Sequence, residues 1–465
     1  MPDQTITIRG RRPPEEASVS ADSIRYLPFD MPPGVTRLSL TLDFEEGPGP
    51  DDRGTVDLGL FDPRGYEFGG PGFRGWQGGT RRAASVTGDK ATTAPWYVPG
   101  PLPAGRWHLA QWFLRSAPAG LGYTYTVTLG FDDPAPPPAL PDVPAYDPGV
   151  LDPAPGWYAA GLHNHTVHSD GGLSLADMVT HQASTGHRIV ACTDHNSVRG
   201  HYHFAETARQ RPDMLLLFGS EITSAYGHAN VLGQRPGFWY DFRMDGGDGR
   251  LPLLIDEAHE QGALVVINHP FSGCTTCAWR YPADEWRGAD AIEVWNGRFK
   301  PDDRQAVDWW DAMLKAGRRL PAIGGADFHN LGDRLTPTAW LHCQNLSRPA
   351  VLEAIQRGRS FLSESPHGPK LYLTAGDGRA LPGDTIRPQN GRPAPVQAHV
   401  LGGAGLTLRM VWNDGETHLP VPSDDAALPF DVPLNGASAF EYVRAELLRP
   451  DGVVAALTNP IFLER

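Results

Sequence analysis

Between Leu162 and Asp170 the chain reads Leu-His163-Asn-His165-Thr-Val-His168-Ser-Asp170, and histidines and carboxylates return after apolar runs as far as Asp327 and His329. Residues two apart on an extended segment point to the same side, so His163 and His165 can both reach one ion. Imidazole and carboxylate donors together suit Zn, Mn or Fe rather than Ca or Mg alone. A single His-x-His pair arises easily by chance. The later segments give this one its weight.

The runs 188–192, 214–218, 263–267, 289–294 and 320–324 read as short buried strands. At their ends they deliver Thr193-Asp194-His195, Gly219-Ser220-Glu221, Asn268-His269-Pro270, Trp295-Asn296-Gly297 and Gly325-Ala326-Asp327-Phe328-His329. Helical stretches at 174–186, 200–210, 253–262, 304–317 and 348–358 alternate with them, several closed by a glycine. Strand–helix alternation with polar residues at strand C-termini predicts a parallel α/β barrel whose loops each give one or two groups to a common pocket.

The phrases His163-Asn-His165-Thr-Val-His-Ser-Asp170-Gly, Thr193-Asp194-His195-Asn, Gly219-Ser-Glu221, Gly227-His228-Ala-Asn-Val-Leu-Gly, Asn268-His269-Pro and Gly325-Ala-Asp327-Phe-His329 resemble the successive motifs of the PHP (polymerase and histidinol phosphatase) domain. The resemblance covers 156–366. It implies a distorted (β/α)7 TIM-like barrel holding two or three divalent metal ions. It also implies that His163, His165, Asp170, His195, Glu221, His228, His269, Asp327 and His329 are the ligands, with Glu221 bridging two ions. Asp170 lies seven residues beyond His163, so the loop must fold back after Thr166, a turn that Gly171 and Gly172 make easy. Outside 156–366, Ala354-Ile-Gln-Arg-Gly358-Arg-Ser-Phe, Tyr442-Val-Arg-Ala-Glu-Leu-Leu and Leu457-Thr-Asn-Pro460-Ile-Phe-Leu are similar to the CehA/McbA-like branch. That branch is named for carbamate-ester hydrolysis, whereas the wider family mostly cleaves phosphoesters.

Two or more divalent ions held by these groups would lower the pKa of a bridging water and hold an ester oxygen, making a metal-bridged hydroxide the expected nucleophile. No GxSxG elbow and no Walker loop competes with that reading. Glu221, Asp194 and Asp327 are the expected catalytic carboxylates. Asp194 reads either as a proton shuttle or as a support behind a ligand histidine. His168 is expected at the pocket mouth or in solvent. Asn296, Arg298 and Lys300, after one strand end, and Arg334, after His329, are expected to contact an anionic or planar substrate group, ordinary surface charge being the alternative for each. Cys274 and Cys277 form a CxxC without the second pair of a zinc ribbon. They read first as unlinked loop thiols, then as a local disulfide, and last as a metal or redox pair.

The organisation is that of about three domains in 465 residues, with 40% hydrophobic residues ample for buried cores. Segment 1–131 carries short alternating runs between Gly and Pro clusters, the pattern of an antiparallel β-sandwich. Trp76, Trp96, Trp107 and Trp112 read there as core before carbohydrate platform. Segment 132–155 is a proline-rich, extended linker. The metallohydrolase barrel is expected over 156–366 and a β-rich domain over 367–465. A formal charge of −14 argues against an extended nucleic-acid-binding face. No basic leader and no run of 18 apolar residues is present, so membrane spanning has no support and the cytoplasm is the default. The expected partner is a small-molecule ester or phosphoester. The leading expectation is a metal-dependent phosphomonoesterase or phosphodiesterase. A carboxyl or carbamate ester hydrolase is the alternative, and a catalytically silent glycan- or protein-binding module the third reading.

Overall fold

The computed structural model describes residues 1–464 apart from 14–18, 47, 48, 50–53, 80, 116–119, 275, 389–393 and 434–439. At the N-terminus two four-stranded antiparallel sheets stack. One holds Gln4–Arg12, Leu121–Gly130, Arg37–Glu45 and Ala83–Thr87 in that order, the other Arg25–Met31, Gly105–Arg115, Thr55–Phe61 and Phe73–Gln77. Alternation sends Leu38, Leu40 and Leu42 inward to meet Leu58, Leu60 and Leu109 of the facing sheet. Trp107 is buried in this core, Trp76 and Trp112 are buried in the core shared with the central segment, and Trp96 is only half-buried.

The central segment carries seven strands that pair in chain order: β1 (Gly156–Gly161), β2 (Ile189–Cys192), β3 (Leu215–Ser224), β4 (Gly227–Leu232), β5 (Leu264–Ile267), β6 (Ala291–Asn296) and β7 (Ala322–Gly325). Pairs β1–β2, β2–β3, β5–β6 and β6–β7 are parallel, but β4 runs antiparallel to both neighbours. This corrects the expected (β/α)7 alternation. Only Ala225 and Tyr226 separate β3 from β4, a hairpin connection, whereas a parallel crossover needs a dozen residues or more. Past β1 the sheet continues through antiparallel β8 (Thr338–Cys343) and β9 (Ser360–Ser363) into Val454–Thr458 and the C-terminal strands. The sheet therefore crosses the boundary expected at 366. The outcome is a mixed α/β, sheet-rich architecture. A parallel bridge between Asn164 and Phe328 draws the segments beyond β1 and β7 together.

Five α-helices occur among the described residues: α1 (Leu175–Ser184), α2 (Phe204–Gln210), α3 (Arg250–Glu260), α4 (Pro301–Lys315) and α5 (Arg348–Gln356). Ser174 caps α1 by accepting from Asp177 N, and Ser347 caps α5. Gly262 and Gly317, just past α3 and α4, adopt positive φ, as helix-closing glycines do.

All three segments pack as one body. Phe61 and Trp76 of the N-terminal sheets share a hydrophobic core with Tyr240 and Phe242, and Trp239 stacks on Phe73 at 3.8 Å. At the other end Asn459 fastens β7: its Oδ1 accepts from Ala322 N at 2.8 Å and its Nδ2 donates to Ala322 O at 2.7 Å. Buried Arg444 joins α4 to the C-terminal strands through Asp311 and Glu446.

Candidate metal centre

β1 ends just before Leu162, and His163 and His165 follow on either side of the Asn164 bridge. Both are fully buried, and their Nε2 atoms each lie 3.3 Å from Glu221 Oε2. Glu221 sits on β3 with its carboxylate ringed by imidazoles: His195 Nδ1 at 2.9 Å from Oε2, and His228 Nδ1 at 3.1 Å and His269 Nε2 at 3.2 Å from Oε1. Asp327 Oδ1 lies 2.9 Å from His165 Nε2 and 3.4 Å from His163 Nε2. Asp170 faces His329 Nε2 at 3.3 Å and His195 Nε2 at 3.7 Å. All nine residues expected to be ligands therefore gather into four overlapping groups: His165, Asp170, His195 and His329; His163, His269 and Asp327; His163, His165 and Glu221; and His195, Glu221 and His228.

The donor chemistry fits divalent cations. His163 Nε2, His165 Nε2 and Glu221 Oε2 are buried and make no hydrogen bond although they stand in contact. Buried polar atoms without partners are rare and costly, and a cation among these three would satisfy them together. His269 and Asp327 adopt φ of 23° and 50°, a left-handed backbone that costs energy in residues other than glycine and clusters at functional sites.

Electrostatics follow the same geometry. Burial opposes charge on His195, yet the Glu221 and Asp170 carboxylates outweigh it and lift its pKa to about 10. The same contest, with Asp170 prevailing, lifts His329 to about 9. For His228 burial prevails and pushes the pKa down to about 4. Burial would raise Glu221 and Asp327, but the surrounding imidazoles hold both below the ordinary carboxylate range.

Several groups support the cluster, of which Glu293 and Thr223 lie outside the motifs. Glu293, buried on β6, accepts from His163 Nδ1 at 3.1 Å, from His269 N at 2.9 Å and from Asn296 Nδ2 at 2.9 Å. The only sequence signal for it is an acidic residue inside an otherwise apolar strand. Thr223 Oγ1 lies 2.6 Å from His195 Nδ1, and Asn268 Nδ2 donates to Glu221 Oε1 at 3.0 Å. Gly325 must lack a side chain, because a Cβ there would come within 2.3 Å of His163 Cβ and 2.6 Å of Glu293 Oε1.

Asp194 stands apart from the four groups. Its carboxylate accepts from Thr166 N at 2.7 Å, Thr166 Oγ1 at 2.8 Å, Ser169 Oγ at 2.7 Å and Cys192 Sγ at 3.1 Å. Those bonds tie it to the turn that leads to Asp170. Gly171 serves that turn by close approach and not by positive φ, since a Cβ would lie 2.3 Å from His165 O. His168 is neither at the mouth nor solvated: it is buried, donates from Nδ1 to Pro95 O at 2.8 Å and stacks on His203.

The expected substrate contacts divide. Asn296 is buried and spent on Glu293 and Asp303. Lys300 is exposed at the start of α4, with Nζ 3.9 Å from Asp302. Neither joins the cluster, because the first turn of α4 captures the segment through Asp303. Arg298 and Arg334 line a cavity of about 780 Å³ together with Trp295, His367 and Arg449, which none of the nine clustered residues lines. Cys274 and Cys277 are joined as a disulfide with Cα atoms 5.3 Å apart, which replaces the first reading of unlinked thiols. No helix among the described residues is long and apolar enough to cross a membrane.

No family model matches the chain, and no curated protein matches it. Among solved structures it is similar to a two-domain protein from Bacteroides vulgatus containing a predicted PHP-like metal-dependent phosphoesterase, at 18% identity and a TM-score of 0.40, over 70% of this chain and 98% of that one. It is also similar to an amidohydrolase from Chromobacterium violaceum with bound sulfate and no metal, at 18% identity and a TM-score of 0.28, over 37% of this chain and 88% of that one. A protein from Bifidobacterium adolescentis, provisionally named a metal-dependent phosphoesterase, gives 17% identity and a TM-score of 0.32, over 43% and 96% of the two chains.

Proposed function

We propose that this chain is a metal-dependent hydrolase of the PHP type that cleaves phosphoesters, with the segment 156–366 carrying the chemistry. The observation that carries the reading is the gathering of nine His, Asp and Glu side chains about Glu221, with His163 Nε2, His165 Nε2 and Glu221 Oε2 buried and unpaired. The six ordered motifs support the same reading from the sequence side.

Bound divalent ions would supply Lewis acidity toward water and toward an ester oxygen. The chain's own groups set the rest. Glu293 keeps the proton of His163 on Nδ1 and so leaves Nε2 as a donor facing the cluster. His329 likewise donates from Nδ1 to Asp327 O at 2.7 Å, which turns Nε2 toward Asp170. His163, His165 and Glu221 form the closed floor, while Asp170, His195, Asp327 and His329 are partly exposed. Substrate must approach from that exposed side, where its ester oxygens meet Asp170 and His329 first.

In the ending that resembles the carbamate-ester branch, Asn459 clasps β7. The test is turnover of nitrophenyl phosphate, bis-nitrophenyl phosphate, nitrophenyl acetate and an aryl carbamate by metal-loaded protein, with and without chelator. Phosphoester turnover abolished by chelation is the expected result. Cleavage of acetate or carbamate alone would replace the reading with the ester hydrolase, and no turnover of any substrate by fully loaded protein would remove it.

A further inference from the structure

The N-terminal sheets reach the exposed side of the cluster. Asp57 on Thr55–Phe61 is buried within electrostatic reach of His195 and Asp170. It accepts from Trp76 Nε1 at 3.2 Å and from Gly79 N at 3.1 Å, and Gln77 Nε2 donates to Arg81 O at 2.9 Å. These bonds hold Gly79 against Asp57 and the Arg81 carbonyl against Gln77. The guanidinium of Arg81 donates from one terminal nitrogen to Ser169 O at 2.6 Å, one residue before Asp170, and lies 4.1 Å from the ring centre of Trp96. Trp96 Nε1 donates to the same carbonyl at 3.0 Å.

We infer that Arg81, brought by the N-terminal sheets, is the residue that binds the anionic group of the substrate at the rim of the metal centre. The inference rests on the hydrolase reading above and gives that site a preference for substrates carrying negative charge. Among the described residues no carboxylate forms an ion pair with Arg81, and Asp170 is the acidic group whose charge it feels. A half-buried cation without a counter-ion is costly to keep. Stacking on Trp96 and the single bond to Ser169 fix its plane, which readies the remaining donors of the fork for a phosphate or carboxylate, the geometry arginine recognises best. The expected substrate contacts Arg298 and Arg334 line a cavity that none of the nine clustered residues lines, which leaves the anion recognition expected of them to Arg81 in this proposal.

The experiment uses the full-length, metal-loaded protein and its Arg81→Gln and Arg81→Lys variants, with metal content and thermal stability measured for each. Calorimetry with inorganic phosphate is the first readout, and kcat/KM for nitrophenyl phosphate against neutral nitrophenyl acetate the second. Loss of one charged hydrogen-bond set corresponds to roughly 10- to 100-fold weaker phosphate binding in Arg81→Gln. A similar fall is expected for nitrophenyl phosphate, with acetate within about two-fold of wild type and partial recovery in Arg81→Lys. Unchanged phosphate affinity in Arg81→Gln overturns the inference, as does a wild type that binds no phosphate. A parallel loss of acetate turnover and metal would show a mere tie between the segments and also overturn it. If wild type cleaves no ester yet Arg81→Gln weakens phosphate binding, the hydrolase reading fails and the anion site stands. If wild type cleaves phosphoesters and Arg81→Gln matches it, this inference alone fails.

Discussion

Glu293→Gln is the sharpest perturbation the cluster allows, because it preserves shape and removes an acceptor. The wild-type carboxylate takes one bond on Oε1, from His163 Nδ1, and two on Oε2, from His269 N and Asn296 Nδ2. An amide has one oxygen and one NH2 for those two places. With the NH2 toward His163, the ring must shift its proton to Nε2 and lose its free donor atom. With the NH2 toward His269 and Asn296, two buried N–H groups lose their acceptor, at about 1–3 kcal/mol each. Loss of a carboxylate behind a metal-binding histidine weakens metal affinity about 10- to 100-fold, which corresponds to roughly 1.4–2.7 kcal/mol. The assay is chelator-competition titration of metal-free wild type and variant, with unfolding followed in parallel. Metal affinity within about two-fold of wild type, whatever the loss of fold stability, would refute the reasoning.

Asp194→Ala strips acceptors from Thr166, Ser169 and Cys192 and should cost roughly 3 kcal/mol or more in urea unfolding together with a lower metal stoichiometry, since the Asp170 turn loosens; normal metal content in a folded variant would contradict that role. In the metal-free protein His195 and His329 have pKa values raised to about 10 and about 9, so their stabilisation is full below pH about 6.5 and is lost as pH climbs through those values. Metal must displace these protons, so apparent metal affinity should rise with pH over the same window, and binding at pH 7 should release protons detectable by calorimetry in buffers of different ionisation enthalpy. A pH-independent affinity would be the contrary result. Asn459→Ala removes the clasp on Ala322 and should lower stability by about 2 kcal/mol or more while leaving the ligand side chains in place; an unchanged urea midpoint would dismiss the clasp.

The clustering of His, Asp and Glu side chains was legible in the sequence because its signals are local. Short apolar runs mark strands, and the residues just beyond a strand must emerge at its end, so His163, His195, His269 and Asp327 could be assigned to one rim from spacing and motif, whereas Glu221 proves to lie inside β3, which runs on to Ser224. The supports were not legible, because they depend on which distant residues become neighbours. Glu293 meets His163 across 130 residues, and nothing in either stretch announces the other. The antiparallel β4 escaped for a related reason: His228 is recognisable as a motif, but the hairpin that carries it is set by only two residues between strands. Asn296 and Lys300 show the opposite failure. They were read as following a strand end, whereas Asn296 is the last residue of β6 and Asp303 draws Lys300 into the first turn of α4. Arg81 was invisible because no pattern in either module says how the N-terminal sheets dock.

The most direct test of the central claim is elemental analysis of the purified protein and its Glu221→Ala variant, each paired with nitrophenyl phosphate turnover. Glu221 touches five imidazoles and lies at the centre of the cluster. Two or more metals per chain, with both metal and turnover collapsing in the variant, is the predicted result. Wild type free of metal after loading, or a variant that keeps full metal and activity, would contradict it.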